Sequence, residues 1–137
     1  MTPKQIELVQ STWAYVAPQS MHAAEVFYRR LFQLEPTLRH MFPPDMSLQR
    51  RTLMEMLNFV VNGLYCFDAL VPEFAELGRR HADYGVEQWQ YDVMRKALLG
   101  MLGEELGERF TPEVEAAWAA TYDRLAEVMK SASYASV

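Results

Sequence analysis

The sequence has few of the residues that form disulfides and metal sites. It contains one cysteine, Cys66, and three histidines among its 137 residues. One thiol can form neither an internal disulfide nor a multi-thiolate metal site. No HxxxH, CxxC or HExxH pair is present, and zinc needs three or four converging ligands, so a zinc site is disfavoured. Because Cys66 lies in the apolar stretch 59–67, we expect its thiol to be buried and inert.

Positive charge and long apolar runs are also scarce. The net charge is −5 and the sequence has no basic stripe, so nucleic acid is a poor candidate partner. No run reaches the roughly 20 apolar residues of a membrane span. The N-terminal segment also lacks an apolar core followed by a small-residue cleavage site. We therefore expect a cytoplasmic protein without membrane contact.

The composition is that of a globular chain with a substantial core. Half of the residues are hydrophobic and 23% are charged. A length of 137 residues suits one domain, residues 1–137, and is short for two. No stretch has a credible strand pattern, and neither a GxSxG motif nor a phosphate-binding loop after a strand is present. We expect a single all-α domain.

Helix-start and helix-stop signals define the first two helices. Thr2, Pro3 and Gln5 fit a capping box, in which threonine is the N-cap and glutamine reaches back to it. Pro18 ends or bends this first helix. A second amphipathic helix closes at residues 35–36, and a short helical segment follows that proline.

Serine, proline and glycine indicate the limits of the later helices. Ser47 is the predicted N-cap of a helix that extends to about Cys66. Pro72 is predicted to open the next helix and Gly85 to stop it. The last two helices are predicted from about Val86 to Leu106 and from Thr111-Pro112 to about Lys130, after which a Ser/Ala tail should fray.

One of the three histidines stands on an apolar helix face. His81 shares this face with Phe74 and Leu77, whereas His22 and His40 lie near helix ends beside polar neighbours, where solvated structural roles are expected. A histidine on an apolar stripe is either a hydrogen-bonded core residue or a ligand, and the stripe alone leaves both open. One imidazole and a large apolar pocket are nevertheless what haem requires, together with one or two hydrogen-bond donors above the iron.

Several short motifs occur in a specific order and spacing. They are LEP at 34–36 with MF at 41–42, LGRRH at 77–81 with YGV at 84–86, and TP at 111–112 with AW at 117–118. Together they resemble the globin family over essentially the whole chain, and most closely bacterial single-domain haemoglobins, flavohaemoglobin haem domains and neuroglobins. The resemblance implies a globin fold, a three-over-three helical sandwich around a pocket for haem b (iron protoporphyrin IX).

The resemblance also implies roles for individual side chains. His81 corresponds to the proximal iron ligand, and Phe42 to the phenylalanine that stacks on the porphyrin. Gln49 corresponds to the distal residue, Leu53 to its neighbour one turn later, and Tyr28 to a second donor facing the bound gas. A core tyrosine at 28 and a merely solvated glutamine at 49 are the alternatives.

Other residues are expected at the border of the haem. Val86 should flank the porphyrin, and Arg80 should pair with a propionate unless it is simply exposed. Tyr91 matches a tyrosine that in flavohaemoglobins pairs with a glutamate to polarise the proximal imidazole. Ser133 stands where that glutamate is expected, and a neutral hydroxyl does not raise ligand basicity as a carboxylate does. This weakens the case for peroxidase-like cleavage of an O–O bond.

Two features set the expected coordination of the iron. Globins often have histidine where this chain has Gln49, so bis-histidine coordination is disfavoured and five-coordinate ferrous iron is predicted. Without a glutamate partner, the ring nitrogen of His81 that does not bind iron should donate its N–H to the carbonyl of Leu77, one turn back.

Three classes of function remain open. The first is reversible binding of O2, and of CO and NO, for storage, transport or scavenging, with tight binding and slow release because Tyr28 and Gln49 can both donate to the gas. The second is an enzyme, nitric oxide dioxygenase or a related haem redox activity. It would need a separate reductase, because this chain contains no flavin or nicotinamide domain. The third is a gas sensor or a haem-free helical interaction domain.

Overall fold

Six α-helices joined by short turns make up the part of the chain that the structure describes, residues 1–134 of a computed structural model. They are α1 (Pro3–Val16), α2 (Ser20–Leu34), α3 (Ser47–Asn62), α4 (Phe67–Asp83), α5 (Gln90–Leu106) and α6 (Pro112–Tyr134). Short 3₁₀ segments lie at Ala17–Gln19, Pro36–Met41, Leu64–Cys66 and Gly107–Arg109. Residues 1–134 contain no strand, and the predicted all-α class is confirmed.

The helices pack on one another in several pairs. Helices α1, α5 and α6 contact one another, and α2 packs on α3. Further contacts join α2 to α5, α1 to α3 and α4 to α6, and those between α4 and α6 are the most extensive. Buried indole groups join α1 to α6 and to α3, since Trp118 Nε1 donates to Thr12 at 2.9 Å and Trp13 Nε1 donates to Asn58 at 3.0 Å.

The crossing of α4 and α6 depends on a glycine. A Cβ placed on Gly78 would lie 2.3 Å from the carbonyl oxygen of Met129 and 2.6 Å from its Cα. Both atoms belong to the α6 backbone, which cannot swing away as a side chain can. The helices therefore approach this closely only because residue 78 has no side chain. On the surface, Arg124 of α6 also binds Asp68 of α4 at 3.0 Å.

The predicted ends of the first and last helices agree with the structure. Thr2 Oγ1 accepts from the amide of Gln5, and the Gln5 side chain accepts from the amide of Thr2, each at 3.1 Å, so the capping box is confirmed. Thr111 Oγ1 accepts from the amide of Val114 at 3.3 Å and begins α6 as predicted. The predicted fraying after Lys130 is wrong for residues 131–134, which continue α6, and residues 135–137 lie outside the described residues.

Three predicted helix starts are wrong. Ser47 is the first residue of α3 and not its cap. Its own amide donates to Asp45 Oδ1 at 2.9 Å. Pro72 does not open α4, which begins five residues earlier at Phe67. A proline in the second turn removes a single hydrogen bond, to the carbonyl four residues back, and the packed helix tolerates this loss. The fifth helix starts at Gln90, whose side chain accepts from the amide of Glu87 at 2.9 Å.

The prediction for Cys66 is also wrong, because its thiol is exposed. The third helix stops at Asn62, earlier than predicted, and a 3₁₀ turn links it to α4. This turn buries Leu64 but directs Tyr65, which is 65% exposed, and Cys66 outwards. Apolar composition alone did not reveal the change of helix type that rotates these side chains to the surface.

No single helix among the described residues is long and apolar enough to cross a membrane. The segments Ser47–Asn62 and Leu64–Asp83 reach that length only together, across a bend of 62°.

Candidate functional site

An apolar cavity lies between α3, α4, α5 and α6. It measures about 760 Å³ when the part open to solvent is included. Leu53, Leu57 and Val60 of α3 line it, together with residues of the facing helices that include Leu77, His81, Tyr91, Met94, Leu98, Trp118 and Leu125. His81 therefore presents an imidazole in surroundings that are almost entirely hydrocarbon.

The last turn of α4 fixes the position of His81. Gly85 adopts φ +94°, a conformation that favours glycine, and reverses the chain there. Its amide donates to Ala82 O and the amide of Val86 donates to His81 O, each at 3.0 Å. This is the Schellman pattern of a helix end, and it satisfies the backbone carbonyl of the histidine itself. The prediction that Gly85 stops this helix is confirmed.

The imidazole of His81 is held in the tautomer that suits a metal ligand. Nδ1 lies 2.8 Å from the carbonyl oxygen of Leu77, and a carbonyl can only accept, so Nδ1 carries the proton. The predicted bond to Leu77 is confirmed. Burial lowers the pKa of His81, and the positive charge of Arg80 lowers it further. The hydrogen bond to Leu77 acts in the opposite direction and raises the pKa. The ring is neutral near pH 7, and Nε2 keeps its lone pair.

Two polar side chains meet near the α2–α3 side of this cavity. Gln49 Nε2 donates to the hydroxyl oxygen of Tyr28 at 3.1 Å. Phe27, the neighbour of Tyr28, and Leu53, one turn after Gln49, both line the cavity. Burial raises the pKa of Tyr28, and the Gln49 bond opposes the shift only in part, so the phenol keeps its proton. Because its oxygen accepts from Gln49, its O–H remains the group with which Tyr28 can donate.

An aromatic cluster supports Tyr28. The ring of Phe42 lies edge-on at 5.6 Å from those of Tyr28 and Phe32, and Phe27 contacts Tyr28 at 5.0 Å. Phe42 is half-buried and packs against the core. The structure thus brings the predicted porphyrin clamp into direct contact with the predicted distal donor.

Arg39, which the sequence did not single out, fixes the loop that carries Phe42. Its guanidinium donates to the carbonyls of Phe42 at 3.2 Å, Pro43 at 2.9 Å and Pro44 at 3.1 Å. It also lies 5.5 Å from the ring centre of Phe32. Only the fork of an arginine reaches three carbonyls in this way. The available sequence signal is a basic residue just before two prolines.

The remaining predicted border residues have different surroundings. Val86 is half-buried against the core and its amide donates to the carbonyl of His81, while its place beside a porphyrin stays a prediction. Arg80 is exposed, which leaves its pairing with a propionate a prediction. His22 and His40 are exposed as expected, and His22 Nδ1 lies 2.6 Å from a carboxylate oxygen of Glu105.

Tyr91 lines the cavity and is buried, and its place behind an iron-bound histidine stays a prediction. Its carbonyl accepts from the hydroxyl of Tyr122 at 2.7 Å, and Lys130 Nζ lies 5.8 Å from its ring centre. Ser133 Oγ donates to the carbonyl of Met129 at 2.8 Å. The serine hydroxyl is therefore used within α6, in agreement with the absence of a polarising carboxylate at that position.

Several cavity residues were not recognised from the sequence. Helix periodicity placed Leu57, Met94 and Trp118 on inward faces but did not show that they border one space. The same holds for Phe27 of the second helix, whereas Met56, Val61, Thr121 and Ala126 were missed entirely. A cavity is the gap between several helices, whereas periodicity describes one helix at a time.

The sequence model of the globin family matches residues 25–129, which include every part of this site. The chain belongs to the globin family. The all-α fold described above is the globin fold, and family membership carries haem-based binding of small gases.

Known globins with similar sequences include both short and long proteins. The flavohemoprotein of Rhizobium meliloti (strain 1021) is 29% identical over 136 residues, which cover 94% of this chain and 33% of that protein. Leghemoglobin alpha of Phaseolus vulgaris is 28% identical over 141 residues, covering 96% of each. The flavohemoprotein of Bacillus subtilis (strain 168) is 26% identical over 127 residues, covering 90% of this chain and 32% of that protein. The globin chain thus spans about a third of the flavohemoproteins it matches.

The residues of this globin suit haem chemically. A neutral imidazole with a free Nε2 lone pair, that of His81, would hold the iron, and the largely apolar lining would suit the faces of a porphyrin. When bound, haem supplies an iron atom that takes up diatomic gases. In this chain Leu77 orients the imidazole of His81 and Gly85 ends its helix, while Tyr28 and Gln49 lie beside cavity residues without being among those that line it.

Proposed function

We propose that this globin carries haem b and binds O2 reversibly at ferrous iron, with His81 as the axial ligand and Tyr28 as the main donor to the gas. The observation that carries the proposal is the hydrogen bond from Gln49 to Tyr28. It orients the phenol and leaves its O–H free to serve a ligand with partial negative charge, as O2 on ferrous haem has.

Strong retention of O2 is expected from this arrangement. A hydrogen bond to a charged acceptor contributes about 1.5–3 kcal/mol, and its effect is larger in apolar surroundings than in water. Tyr28 is buried and its raised pKa favours the neutral donor. Slow release suits storage or scavenging of O2 better than rapid delivery.

A second candidate function is nitric oxide dioxygenase activity. The similarity to two flavohemoproteins favours it, although the globin chain covers only about a third of each. Repeated turnover of such an enzyme needs electrons from a reductase. Tyr28 and Gln49 would serve in either function, because both functions begin with the O2-bound form.

Stopped-flow kinetics with haem-loaded, reduced protein separates the two functions. The O2-binding function predicts a long-lived oxygenated spectrum and slow O2 dissociation, with little sustained consumption of NO when a competent flavin reductase is supplied. Rapid multiple-turnover conversion of NO to nitrate under those conditions would favour the enzyme. Rapid O2 loss together with no NO consumption would contradict both.

A further inference from the structure

The methionines of this globin fall into three groups of different surroundings. Of nine methionines, three line the cavity. Another three are exposed, and the last three are buried but are not among the cavity-lining residues. The cavity group is Met56, Met94 and Met129; the exposed group is Met1, Met21 and Met41; the buried group is Met46, Met54 and Met101.

The cavity group brings three thioethers into the space that His81 borders. Met56 comes from α3, Met94 from α5 and Met129 from α6, so the sulfur-bearing side chains approach from three different helices. Among the side chains that line the cavity, thioether sulfur is the group that takes up an oxygen atom from peroxide most readily. Leucine would fill similar volume without this reactivity.

We infer that Met56, Met94 and Met129 form an oxidation site, which takes up oxygen atoms from hydrogen peroxide when haem occupies the cavity. In each step the sulfur gains one peroxide oxygen, the O–O bond breaks, and the second oxygen leaves as water. The sulfur loses two electrons and the peroxide gains two. The product is methionine sulfoxide.

This inference rests on the proposed haem site, because iron held there would draw hydrogen peroxide into the cavity beside these sulfurs, and the attack of sulfur on the peroxide needs no peroxidase-like electron push from His81. In the haem-free protein, peroxide comes from bulk solvent and oxidises the methionines with the most exposed side chains first. Met21 is 47% exposed and Met41 is 36% exposed, whereas Met56 and Met94 are half-buried and Met129 is 5% exposed. The order of oxidation should therefore reverse between the haem-free and haem-loaded protein.

Peptide mass spectrometry after limited peroxide treatment tests the inference, with the haem-loaded and haem-free full chain treated alike. The expected result is sulfoxide mainly at Met56, Met94 and Met129 with haem, and mainly at Met21 and Met41 without it. Met1 is left out of the comparison because its sulfur accepts a hydrogen bond from Thr121, which lines the cavity.

The buried group is the matched control for loosening of the whole fold. Met54 and Met101, which are 6% and 0% exposed, should stay unoxidised in both samples. Oxidation of these two together with the cavity group would show general unfolding and overturn the inference. Oxidation of Met21 and Met41 first in the haem-loaded protein would overturn it as well.

A triple variant, Met56→Leu with Met94→Leu and Met129→Leu, provides an independent readout. If the three thioethers consume peroxide, bleaching of the haem absorbance should need less peroxide in the variant, by about three equivalents per haem. An unchanged titration would contradict the inference while the proposed function stands, provided the oxygenated spectrum still forms. A protein that takes up no haem would overturn both.

Discussion

Gln49 and Tyr28 form a hydrogen-bonded pair in which Gln49 is the donor, so the hydroxyl hydrogen of Tyr28 stays available for a ligand. The amide nitrogen of Gln49 donates to the phenol oxygen at 3.1 Å. An amide nitrogen can only donate, so the phenol oxygen is the acceptor of this bond and the phenol keeps its own proton. Gln49 thus positions the donor, and Tyr28 is the group expected to touch the gas.

Replacing Tyr28 with phenylalanine should speed O2 dissociation by tenfold or more. A tenfold change corresponds to about 1.4 kcal/mol, the lower range of one hydrogen bond to a charged acceptor. Stopped-flow displacement of O2 by CO measures the rate. Tyr65→Phe is the matched control, because Tyr65 is 65% exposed and should give the wild-type rate. An unchanged dissociation rate in Tyr28→Phe would contradict the claim that the Tyr28 hydroxyl donates to bound O2.

A double-mutant cycle should show that Gln49 acts through Tyr28. Gln49→Leu alone should speed O2 dissociation by a smaller factor than Tyr28→Phe, because the phenol can still donate but is no longer held in place. In the double variant the two effects should not add, as is usual for residues in direct contact. Strict additivity would mean that Gln49 contacts the gas independently.

The dissociation rate should not respond to pH below about 10. Burial raises the pKa of Tyr28 above its ordinary value of 10.0, so the folded protein keeps the neutral donor there. Above about pH 10 the unfolded chain loses the proton first, and stability should fall as pH rises towards the folded-state pKa. Rate and unfolding measurements across this range test both points. A rate that rises several-fold between about pH 8 and 9.5 would contradict the raised pKa.

The sequence predicted helix ends that depend on local signals better than features that depend on how neighbouring helices meet. Thr2, Thr111 and Gly85 give local signals that act within four residues, and each was placed correctly. Pro72 and Cys66 were misjudged because their surroundings depend on how α3 turns into α4, which no single-helix pattern contains. Arg39 was missed for the same reason, since its three carbonyl partners come together only once the loop folds.

Substituting Gly78 with alanine should destabilise the protein by about 1–3 kcal/mol, the usual cost of overpacking. The added Cβ would meet the α6 backbone at 2.3 Å, and His81 lies one turn further along the same helix. Faster haem loss should accompany the lower stability. Gly103→Ala is the control, because its nearest neighbour is the Phe110 ring at 3.4 Å and alanine favours a helix interior. Equal unfolding midpoints for both variants would contradict the proposed close packing.

Arg39→Lys should loosen the aromatic cluster around Tyr28. One ammonium group cannot satisfy three carbonyls in a fixed plane, so we expect lower thermal stability and O2 dissociation moderately faster than wild type. The C–O stretch of the CO complex should also broaden as Tyr28 samples more positions. Arg109→Lys is the control, because Arg109 is exposed and stacks on Tyr15 at 4.0 Å. An unaltered CO spectrum in Arg39→Lys would limit Arg39 to a structural role.

The most direct test of the haem assignment is the absorption spectrum of haem-loaded protein, reduced without oxygen and then exposed to air, beside that of His81→Gly. The account predicts a five-coordinate ferrous spectrum that converts to a stable oxygenated form. In His81→Gly this spectrum should be lost, and added imidazole should restore it by filling the space of the missing ring. Absence of haem uptake, or a spectrum that is the same with and without His81, would contradict the assignment of His81 as the iron ligand.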